Sequence, residues 1–406
     1  MMNEFKDKYN SGIAKIILKP GKNKSVQRRH PWVFSGAIAK KDRDLTDGDC
    51  VEVYDSEKNY MATGHYQNNT ISVRIFSFEK CIPDELFWMK KMQAAIDFRK
   101  SIFLPNSQTN MYRLVNGEGD GFPGLIVDVY NNHAVLQVHS VGMLRISRLL
   151  TDVIVKLLPE TKAVYLKNAI DSLENSDERH EEGWIYGSPD PKIVAFENGI
   201  AFVVDIETGQ KTGFFLDQRD SRAIVGDFAK DRTMLNMFSY SGGFSLYALQ
   251  NGANHVDSVD ISQKAINLVD ENVSLLTPDL QKRHTSRCED VFEFLDQMDD
   301  DYYDLIVLDP PAFAKHHRVK EQGIKGYRNI NKKTMEKIRK GGFLFTFSCS
   351  QAISRDDFQT IVFSAAALAG KSVRIVKRLQ HAADHPVSVF HPEGEYLKGL
   401  MLYIEN

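Results

Sequence analysis

From about residue 230 onward, the sequence alternates between short apolar runs and stretches with helical character. The apolar runs are TMLNMF, HVDSVD, YDLIVLDPP and GGFLFTFSCS, and they are separated by stretches such as FSLYALQ, QKAINLVDENV and NKKTMEKIRK. This alternation predicts an α/β fold with a doubly wound parallel sheet and helices on both faces. Ligands bind such sheets at the carboxyl ends of the strands, so functional side chains are expected there.

The N-terminal half has a different pattern. Short β-like runs with turn residues predict a small, mostly β domain, and these runs are AKIILKPG, PWVFSGAI, DGDCVEVYDS, YMATGHYQ and ISVRIFSF. DELFWMKKMQAAIDFR predicts a connecting helix, and the stretches YRLVNGEGDGFPGLIVDVY, HAVLQVHS and GIAFVVDIETG predict strands of a mixed α+β domain. We therefore predict three domains, over residues 1–83, 84–205 and 206–406.

The cysteines and the apolar runs exclude several classes of protein. Cys50, Cys81, Cys288 and Cys349 are far apart and form no CxxC or Cys/His cluster, so neither a disulfide framework nor a bound metal is indicated. The N-terminus has no apolar signal segment, and no apolar run approaches the roughly 18 residues of a membrane span. We predict a soluble, cytoplasmic protein without a membrane partner.

The charges are unevenly distributed, although the net charge is only −3. Acidic residues collect in DSLENSDERHEE and DQMDDDYYD. Two segments are basic: Lys15, Lys19, Lys22, Lys24, Arg28, Arg29, Lys40 and Lys41, and then Lys315, Arg318, Lys320, Lys325, Arg328, Lys332, Lys333, Lys337, Arg339 and Lys340. Either segment alone is better explained as a solvated face. Together they make a polyanionic partner a hypothesis to test.

The first two strand ends have the residues of a nucleotide site. In FSYSGGFS, Gly242 and Gly243 open a helix, and adjacent glycines let a ligand approach the backbone and the helix amides. A plain strand-to-helix turn explains them equally well. Asp260 ends the next strand ~20 residues later, where a carboxylate either binds both ribose hydroxyls or caps the following helix. Together, these residues favour an adenosine-containing cofactor.

The next three strand ends are also polar. Asp290 either receives the amine of an adenine or caps a helix. Asp309, Pro310 and Pro311 form a rigid loop that suits a flat base. Cys349 follows the last apolar run, where a cysteine is more often a small buried hydrophobe than a nucleophile. In a doubly wound sheet, however, Asp309 and Cys349 would face one substrate.

With its longer motifs, the chain resembles the PUA-fused, cytosine-5 type of bacterial class I S-adenosylmethionine-dependent methyltransferases of large-subunit ribosomal RNA. The resemblance covers nearly the whole chain and includes RRHPWVFSGAI, GEGDGFPGLIVD, KTGFFLDQRDSR, NMFSYSGGF, VDIS, LDPPAF, GYRNIN, TFSCS, AADHP and PEGEYLKG. It implies a Rossmann-like class I methyltransferase domain preceded by a PUA-like and a small α+β domain. It also implies S-adenosyl-L-methionine as cofactor and a cytosine in 23S ribosomal RNA, or in a large-subunit assembly intermediate, as substrate.

The resemblance further implies roles for individual residues. Cys349 is the implied nucleophile, and Asp309 is the second implied catalytic residue. The implied cofactor-binding residues are Leu216, Asp217, Gln218, Arg219, Asn236, Phe238, Ser239, Gly242, Gly243, Asp260, Ile261, Ser262, Asp290, Val291 and Asp309. The implied substrate-binding residues are Pro310, Pro311, Phe313, Arg28 and Arg29.

The implied chemistry explains why a thiol is needed. C5 of cytosine is a poor nucleophile, and a thiolate adding at C6 makes the ring enamine-like. The basic residues after residue 314 are expected to favour the thiolate if they lie near Cys349. Many RNA cytosine-5 methyltransferases carry a second cysteine after the proline of the fourth-strand motif, but DPPAF has none. The group that removes the C5 proton is therefore not identified by the sequence.

Three other functions stay open. DPPAF resembles the (D/N)PP(Y/F) motif of enzymes that methylate exocyclic amines, so another ribosomal RNA base, adenine or guanine, is the main alternative. Adjacent glycines with Asp260 also suit a nicotinamide cofactor, but GxGxxG is absent. An RNA-binding module with an inactive methyltransferase domain is the third alternative. The sequence does not determine the methylated nucleotide or whether the chain forms a homodimer.

Overall fold

The computed structural model describes residues 13–170, 182–314 and 317–406, and the chain forms two compact units. Unit 1 is Met1–Ile193, Val204–Phe214 and Ala383–Gly394, and unit 2 is Val194–Val203, Phe215–Ala382 and Glu395–Asn406. Lys315 and all but the last residue of the acidic stretch DSLENSDERHEE lie outside the described residues. Among the helices that are described, none is both long enough and apolar enough to cross a membrane.

The first sheet of unit 1 has six strands in the order β2-β6-β5-β4-β1-β3. The strands are β1 (Ala14–Leu18), β2 (Trp32–Phe34), β3 (Ile38–Lys41), β4 (Cys50–Tyr54), β5 (Tyr60–Tyr66) and β6 (Ile71–Ser77), and helix α1 (Lys24–Gln27) precedes β2. Neighbouring strands are antiparallel except for β1 and β4. Apolar side chains such as Ile16, Val51 and Val73 form a core from which solvent is excluded. This is the mostly β region that the sequence predicts.

The second sheet of unit 1 has five strands in the order β11-β10-β9-β8-β7. Its strands are β7 (Met111–Asn116), β8 (Leu125–Tyr130), β9 (His133–Val138), β10 (Ala163–Asn168) and β11 (Gly183–Gly187), and the accompanying helices are α2 (Glu85–Ser101), α3 (Val141–Arg145) and α4 (Ser147–Leu157). Asp84 caps α2 by accepting a hydrogen bond from the Phe87 amide at 2.9 Å. The predicted connecting helix and the glycine-turn strands are confirmed.

Ala383–Gly394 joins unit 1 through buried charges. Asp384 is fully buried, and its carboxylate accepts a hydrogen bond from the Arg113 amide at 2.9 Å. The Asp384 carbonyl accepts another from Arg99 Nη2 at 2.8 Å, and Arg99 also pairs with Asp120. Removing one partner of a buried ion pair typically costs about 3–5 kcal/mol. Asp384 of the AADHP motif is thus held in unit 1 by hydrogen bonds to a backbone amide and to a buried guanidinium.

The main sheet of unit 2 has seven strands in the order β16-β15-β14-β17-β18-β20-β19. The strands are β14 (Thr233–Met237), β15 (His255–Asp260), β16 (His284–Cys288), β17 (Leu305–Leu308), β18 (Phe343–Ser348), β19 (Val373–Leu379) and β20 (Lys398–Ile404). β14 to β18 are parallel, β20 is antiparallel to β18, and β19 is antiparallel to β20. The strand order reverses between β14 and β17, which is where such sheets bind ligands.

The helices of unit 2 are α5 (Arg219–Asp227), α6 (Gly243–Gln250), α7 (Gln263–Val273), α8 (Pro278–Gln281), α9 (Val291–Gln297), α10 (Lys320–Lys337) and α11 (Arg355–Leu368). The predicted alternation of strand and helix is confirmed. α10, however, begins well before the predicted stretch NKKTMEKIRK. Its first half contains Gly323 and Gly326, which have low helix propensity, but packing requires them there. A Cβ at Gly323 would lie 2.6 Å from Ala314 Cβ.

A short hairpin, β12 (Val194–Glu197) and β13 (Ile200–Val203), also lies in unit 2. The sequence places the run GIAFVV in the middle domain, whereas β13 pairs with β12 and its Val203 amide donates to Asn272 Oδ1 of α7 at 2.7 Å. This hydrogen bond connects the hairpin to α7 of unit 2. The two units therefore divide the chain differently from the three predicted domains, whose bounds stay a prediction.

Candidate active site

Three loops meet at the carboxyl edge of the main sheet in unit 2. They follow β14, β17 and β18, which are neighbours: Met237 pairs with Leu308, and Leu308 pairs with Thr346. The loops carry the sequences SGGF, DPPAF and SCS. Because parallel strands end at the same edge, the motifs that the sequence singled out are close together in unit 2.

The loop after β14 has an unusual backbone. Phe238 and Tyr240 have φ angles of 57° and 46°, in the left-handed region that side chains other than glycine rarely adopt. Two hydrogen bonds hold this conformation, from the Ser239 amide to the Val259 carbonyl (3.1 Å) and from the Tyr240 amide to Asp260 Oδ2 (3.0 Å). Strained backbone that is held in this way is typical of ligand-binding sites.

The two glycines of this loop have structural reasons to be glycines. Gly242 has a φ of 78° at the start of α6. A Cβ on Gly243 would lie 2.9 Å from Cδ of Arg222, whose guanidinium is fixed by Glu197 through two hydrogen bonds of 2.7 Å. The protein itself thus occupies the space beside Gly243. A role of either glycine in cofactor binding stays a prediction.

Asp260 is oriented by two backbone amides. Its Oδ2 accepts from Tyr240, and its Oδ1 accepts from the Ser262 amide at 2.9 Å. The N-cap of α7 is Ser262, which accepts from the Ala265 amide at 3.3 Å, so the alternative role of Asp260 as the cap of this helix is wrong. A carboxylate has about four acceptor positions, so Asp260 can still accept from a ligand. The next residue, Ile261, is 68% exposed and offers an apolar contact beside it.

Asp290 does cap a helix. Its Oδ1 accepts hydrogen bonds from the amides of Phe292 and Glu293 at the start of α9, at 2.8 and 3.2 Å. Val291 follows, and its side chain packs in the core of unit 2. The capping alternative is therefore confirmed for Asp290, and contact of either residue with a cofactor stays a prediction.

The FLDQR motif forms a buried turn that leads into α5. Leu216, Asp217, Gln218 and Arg219 are each at most 5% exposed. Gln218 Nε2 donates to Asp309 Oδ2 at 3.0 Å, and the Tyr396 hydroxyl donates to Asp217 Oδ2 at 2.5 Å. The structure thus joins FLDQR to the DPPAF loop after β17. Local sequence pattern could not predict this contact, because 91 residues separate Gln218 from Asp309.

A polar relay behind the site fixes the amide of Asn236. Asn236 Nδ2 donates to Ser245 Oγ (2.9 Å), Ser245 bonds to Ser258 (2.7 Å), and Ser258 bonds to His284 Nε2 (2.8 Å). Burial lowers the pKa of His284 to about 4, so its imidazole is neutral at pH 7. The amide nitrogen of Asn236 therefore donates to this chain of hydrogen bonds, and the Asn236 side-chain oxygen can accept a hydrogen bond from another group.

Several buried polar atoms near these loops have no hydrogen-bond partner among the residues that the structure describes. They are Gln218 Oε1, Ser221 Oγ, Asn236 Oδ1 and Ser239 Oγ. A buried polar atom without a partner costs about 1–3 kcal/mol, and a bound polar ligand removes that cost. Two of them are amide oxygens, which accept hydrogen bonds from an ammonium group. With the Asp260 carboxylate, this donor and acceptor set fits an amino-acid nucleoside such as S-adenosylmethionine.

Tyr327 of α10 links the loop after β17 to the loop after β18. Its hydroxyl bonds to Ser350 Oγ at 2.9 Å and accepts from the Phe313 amide at 3.4 Å. The Ala314 amide donates to the same Ser350 Oγ at 3.2 Å, and the rings of Phe313 and Tyr327 are 4.7 Å apart. The sequence contains this tyrosine in GYRNIN, but no pattern around it indicates that it joins two loops.

Cys349 lies between two fully buried serines and is itself half-buried. Lys398, at the start of β20, is also buried, and its ammonium donates to the Ser350 carbonyl at 2.7 Å. Burial lowers the pKa of Lys398 to about 8, and the negative charge of a Cys349 thiolate opposes that shift. The sequence contains Lys398 in PEGEYLKG but gives it no role.

The basic residues after residue 314 have other partners. Several form ion pairs with nearby carboxylates, namely Lys320 with Asp357, Lys332 with Glu336, Lys333 with Asp296, Lys337 with Asp300 and Arg339 with Asp304. Five of the ten basic residues of this segment thus have an acidic partner, and Lys315 lies outside the described residues, so the expectation that this segment favours the thiolate stays a prediction. Lys398 is one described cation whose charge interacts with that of Cys349.

Arg28 and Arg29 lie in unit 1, directly after α1, and both are exposed. The Arg29 guanidinium is 5.9 Å from the centre of the Phe78 ring. Nearby, Trp32 packs edge-on against His391 with their ring centres 4.4 Å apart, and Phe34 is 42% exposed. Exposed cations near aromatic rings suit nucleic acid, but RNA binding by Arg28 and Arg29 stays a prediction.

Two family models match the chain. The model for S-adenosylmethionine-dependent methyltransferases matches residues 175–401, and the model for PUA-like domains matches residues 16–78. The first match contains the three loops at the carboxyl edge of the main sheet. The second contains the six-stranded sheet of unit 1 except for the start of β1.

Curated proteins and solved structures resemble the chain over nearly its full length. Ribosomal RNA large subunit methyltransferase I of Alteromonas mediterranea is 40% identical over 97% of this chain and 99% of its own length. The protein of the same name from Pseudoalteromonas translucida is 38% identical over 95% and 98%. A protein described as a methyltransferase, crystallised with SAH, has a TM-score of 0.81 at 23% identity and covers 96% of this chain and 99% of its own. The last likeness supports the fold alone.

Proposed function

Because the chain belongs to the family of S-adenosylmethionine-dependent methyltransferases named ribosomal RNA large subunit methyltransferase I, we propose that it methylates C5 of a cytosine in 23S ribosomal RNA. The observation that carries this proposal is the position of Cys349 at the carboxyl end of β18. Its loop is joined through Ser350 and Tyr327 to the DPPAF loop. A thiol at this position has a use in cytosine-5 chemistry, whereas methylation of an amine does not need one.

The cysteine activates the base by covalent addition. The Cys349 thiolate forms a bond to C6, and the electron pair of the C5=C6 bond makes C5 nucleophilic. S-adenosylmethionine, when bound, supplies the methyl group that C5 takes up. A base then removes the C5 proton, the C5=C6 bond re-forms, and the Cys349 thiolate leaves. The thiolate is thus regenerated, and the products are 5-methylcytosine, SAH and one proton.

The surrounding residues have positioning roles in this proposal. Asp309, held by Gln218, accepts a hydrogen bond from the N4 amine of cytosine and so orients the ring. Pro310, Pro311 and Phe313 form the rigid wall of the base site. Gln218, Asn236, Ser239 and Asp260 hold the cofactor through the oxygen atoms described above. Leu216, Asp217 and Arg219 support this arrangement from the buried turn.

The RNA would be bound in part by the PUA-like region. We assign this role to residues 1–83, with a middle domain over residues 84–205 and the methyltransferase domain over residues 206–406. The exposed Arg28 and Arg29 contact phosphates in this proposal. Structured RNA is recognised largely through its shape and backbone, which fits a protein whose net charge is only −3 but whose cations are concentrated in segments.

A trapping experiment tests the proposed chemistry. 5-Fluorocytosine in the RNA replaces the C5 proton with fluorine, so the adduct cannot eliminate. With S-adenosylmethionine and ribosomal RNA fragments containing 5-fluorocytosine, we expect a protein–RNA adduct that survives denaturing electrophoresis. Peptide mass spectrometry should locate the bond at Cys349. The Cys349→Ala variant should form no adduct and should lose methylation while retaining cofactor affinity.

Cys288→Ala provides the matched control, because Cys288 is an exposed cysteine of the same unit. This variant should form the adduct normally. Nuclease digestion of methylated RNA followed by mass spectrometry identifies the modified atom. Full methylation by Cys349→Ala, with the methyl group on an exocyclic amine, would refute the cytosine-5 proposal and favour the alternative function.

A further inference from the structure

The proposed mechanism needs a thiolate, but the structure buries the cysteine loop. Ser348 and Ser350 on either side of Cys349 are fully buried, and Cys349 is half-buried. Burial in an apolar environment disfavours the charged form of a thiol. The ordinary pKa of cysteine, about 8.5, would already leave only a few per cent of thiolate at pH 7. A thiolate at this position therefore requires a nearby positive charge.

Lys398 is positioned to supply that charge. β18 and β20 are antiparallel, and Ser348 is paired with Lys398, so the lysine lies beside the last residue of the strand that carries Cys349. The ammonium reaches past the end of β18 and donates to the Ser350 carbonyl at 2.7 Å. The side chain is thereby held next to the backbone of residues 349 and 350. Its position is fixed by sheet register and by a hydrogen bond.

Burying this ammonium is costly, which argues for a function. Lys398 is only 5% exposed, and fully buried lysines are rare unless they are paired. A neutral acceptor such as the Ser350 carbonyl compensates only part of the lost hydration. A methionine of similar length would fill the same space without that cost. The lysine is thus better explained by an anion beside it than by packing.

Charged groups on the neighbouring helices also face this pair. Arg355 and Asp357 at the start of α11 act on Lys398 with opposite signs, and Asp357 is itself paired with Lys320 at 2.7 Å. On α10, Tyr327 faces Cys349, and burial raises the pKa of its hydroxyl, so it is neutral at pH 7. Arg355 and Asp357 partly offset each other, and Lys398 has a direct hydrogen bond to the cysteine loop.

We propose that Lys398 is a positioning residue whose ammonium is the counter-ion of a Cys349 thiolate and prepares that thiolate for addition to the base. This inference rests on the proposed function, which gives the thiolate its use. The ion pair itself needs neither RNA nor cofactor and can be measured without them. An opposite charge within about 4–6 Å typically lowers the pKa of an acid by about 1–3.

The rate of alkylation of Cys349 by iodoacetamide reports its thiolate fraction. We would measure this rate on the full chain from pH 5 to pH 10, with peptide mass spectrometry to follow Cys349 and Cys288 separately. In the wild type, the midpoint for Cys349 should lie below the ordinary value of about 8.5. In Lys398→Met the midpoint should rise by about one pH unit or more. Lys398→Arg keeps the charge and should remain close to the wild type.

Lys337→Met is the matched control variant, because Lys337 also donates to a backbone carbonyl, that of Met298, at 3.0 Å in the same unit. It should leave the Cys349 profile unchanged, and Cys288 should respond equally in all variants. The cytosine methylation rate of Lys398→Met at pH 7 should fall in proportion to the thiolate fraction, which is about tenfold for each pH unit by which the alkylation midpoint rises above pH 7. The rate should recover at higher pH, with KM unchanged.

An unchanged Cys349 profile in Lys398→Met or in Lys398→Gln, with wild-type circular dichroism, would overturn the inference. An equal change in the Cys288 profile would do the same, because it would show a general change in accessibility. Failure of the proposed function has a different signature, since RNA methylation at another atom would leave the alkylation profiles of Cys349 as described.

Discussion

At the scale of single residues, Asp260 shows how the backbone prepares a side chain for a ligand. The amides of Tyr240 and Ser262 donate to its two oxygens, so the carboxylate is fixed before any cofactor arrives. Prior fixation reduces the conformational entropy that is lost on binding. The strained φ of Tyr240 is part of the same arrangement, because the bond to Asp260 helps to hold it.

We expect Asp260→Asn to weaken S-adenosylmethionine binding about 10- to 100-fold. The change removes the charge that strengthens hydrogen bonds to the ribose, and its amide nitrogen cannot accept from a backbone amide. Isothermal titration calorimetry measures the affinity. Asp227→Asn, at an exposed position at the end of α5, should bind normally. Equal affinity in wild type and Asp260→Asn would contradict the assignment of the ribose to this residue.

Site residues at the ends of the parallel strands could be predicted from the sequence. Site residues that lie on the antiparallel strands could not. Asp260, Asp309 and Cys349 each follow an apolar run, and parallel strands end at one edge. Lys398 comes from β20, whose register with β18 places it beside Cys349. No local pattern reveals that register. Because the sequence does not reveal this register, it connects Cys349 with the basic residues after residue 314 and not with Lys398.

At the scale of elements, the periodicity of apolar residues predicts the helices and strands of the region in which strand and helix alternate regularly. QKAINLVDENV is α7 and HVDSVD is β15, with the same bounds. The antiparallel strands β19 and β20 were not predicted. β19 is an edge strand, and most of its residues are exposed to solvent. Its sequence VRIVKRL mixes charged and apolar residues without strict alternation. Its pairing with β20 decides its conformation, and pairing is a tertiary property.

The start of α11 is stabilised by a capping box. Ser354 Oγ accepts from the Asp357 amide at 3.1 Å, and the Asp357 carboxylate accepts from the Ser354 amide at 2.9 Å. Burial of Asp357 acts to raise the pKa of its carboxyl, but hydrogen bonds from Lys320 and Ser354 lower it to about 2. The folded state therefore favours the ionised carboxylate. This contribution to stability is complete above about pH 4 and is lost as the pH falls towards 2.

We predict that Ser354→Ala destabilises the protein by about 1 kcal/mol at pH 7, because the cap is lost. At pH 2 the cost should be smaller, since about half of the Asp357 carboxyl is protonated there and the box is weakened. Urea denaturation followed by circular dichroism at both pH values measures the difference. Thr360→Ala, exposed in the same helix, should have little effect at either pH. An equal cost for Ser354→Ala at both pH values would argue against the contribution of the carboxylate.

At the scale of the whole molecule, the small net charge does not show where basic residues are concentrated. The chain carries 51 basic and 54 acidic residues, so attraction to RNA must come from local groups. Many lysines of the second basic segment are paired with carboxylates, whereas Arg28 and Arg29 of the first are exposed. Phosphate contacts release counter-ions, and each one makes affinity more sensitive to salt.

We predict that RNA affinity falls steeply with salt and that the Arg28→Ala, Arg29→Ala double variant lowers the slope of log K against log salt by about 1–2. Fluorescence anisotropy with a ribosomal RNA fragment, over a series of salt concentrations, measures the slope. Lys100→Ala, at an exposed position of α2, should keep the wild-type slope. If the double variant has the wild-type slope as well, these arginines do not contact phosphates.

The partition of the chain between the two units has a consequence for its biosynthesis. Unit 1 includes Ala383–Gly394, although the rest of unit 1 ends at Phe214. In that segment, Asp384 accepts hydrogen bonds from the Arg113 amide and from Arg99. A ribosome adds about 5–20 residues per second, so the nascent unit waits on the order of ten to thirty seconds for Asp384 to emerge. During that time unit 2 is being synthesised. Unit 1 should therefore reach its final stability after translation, and slower decoding between residues 215 and 382 should prolong its exposure to chaperones and proteases.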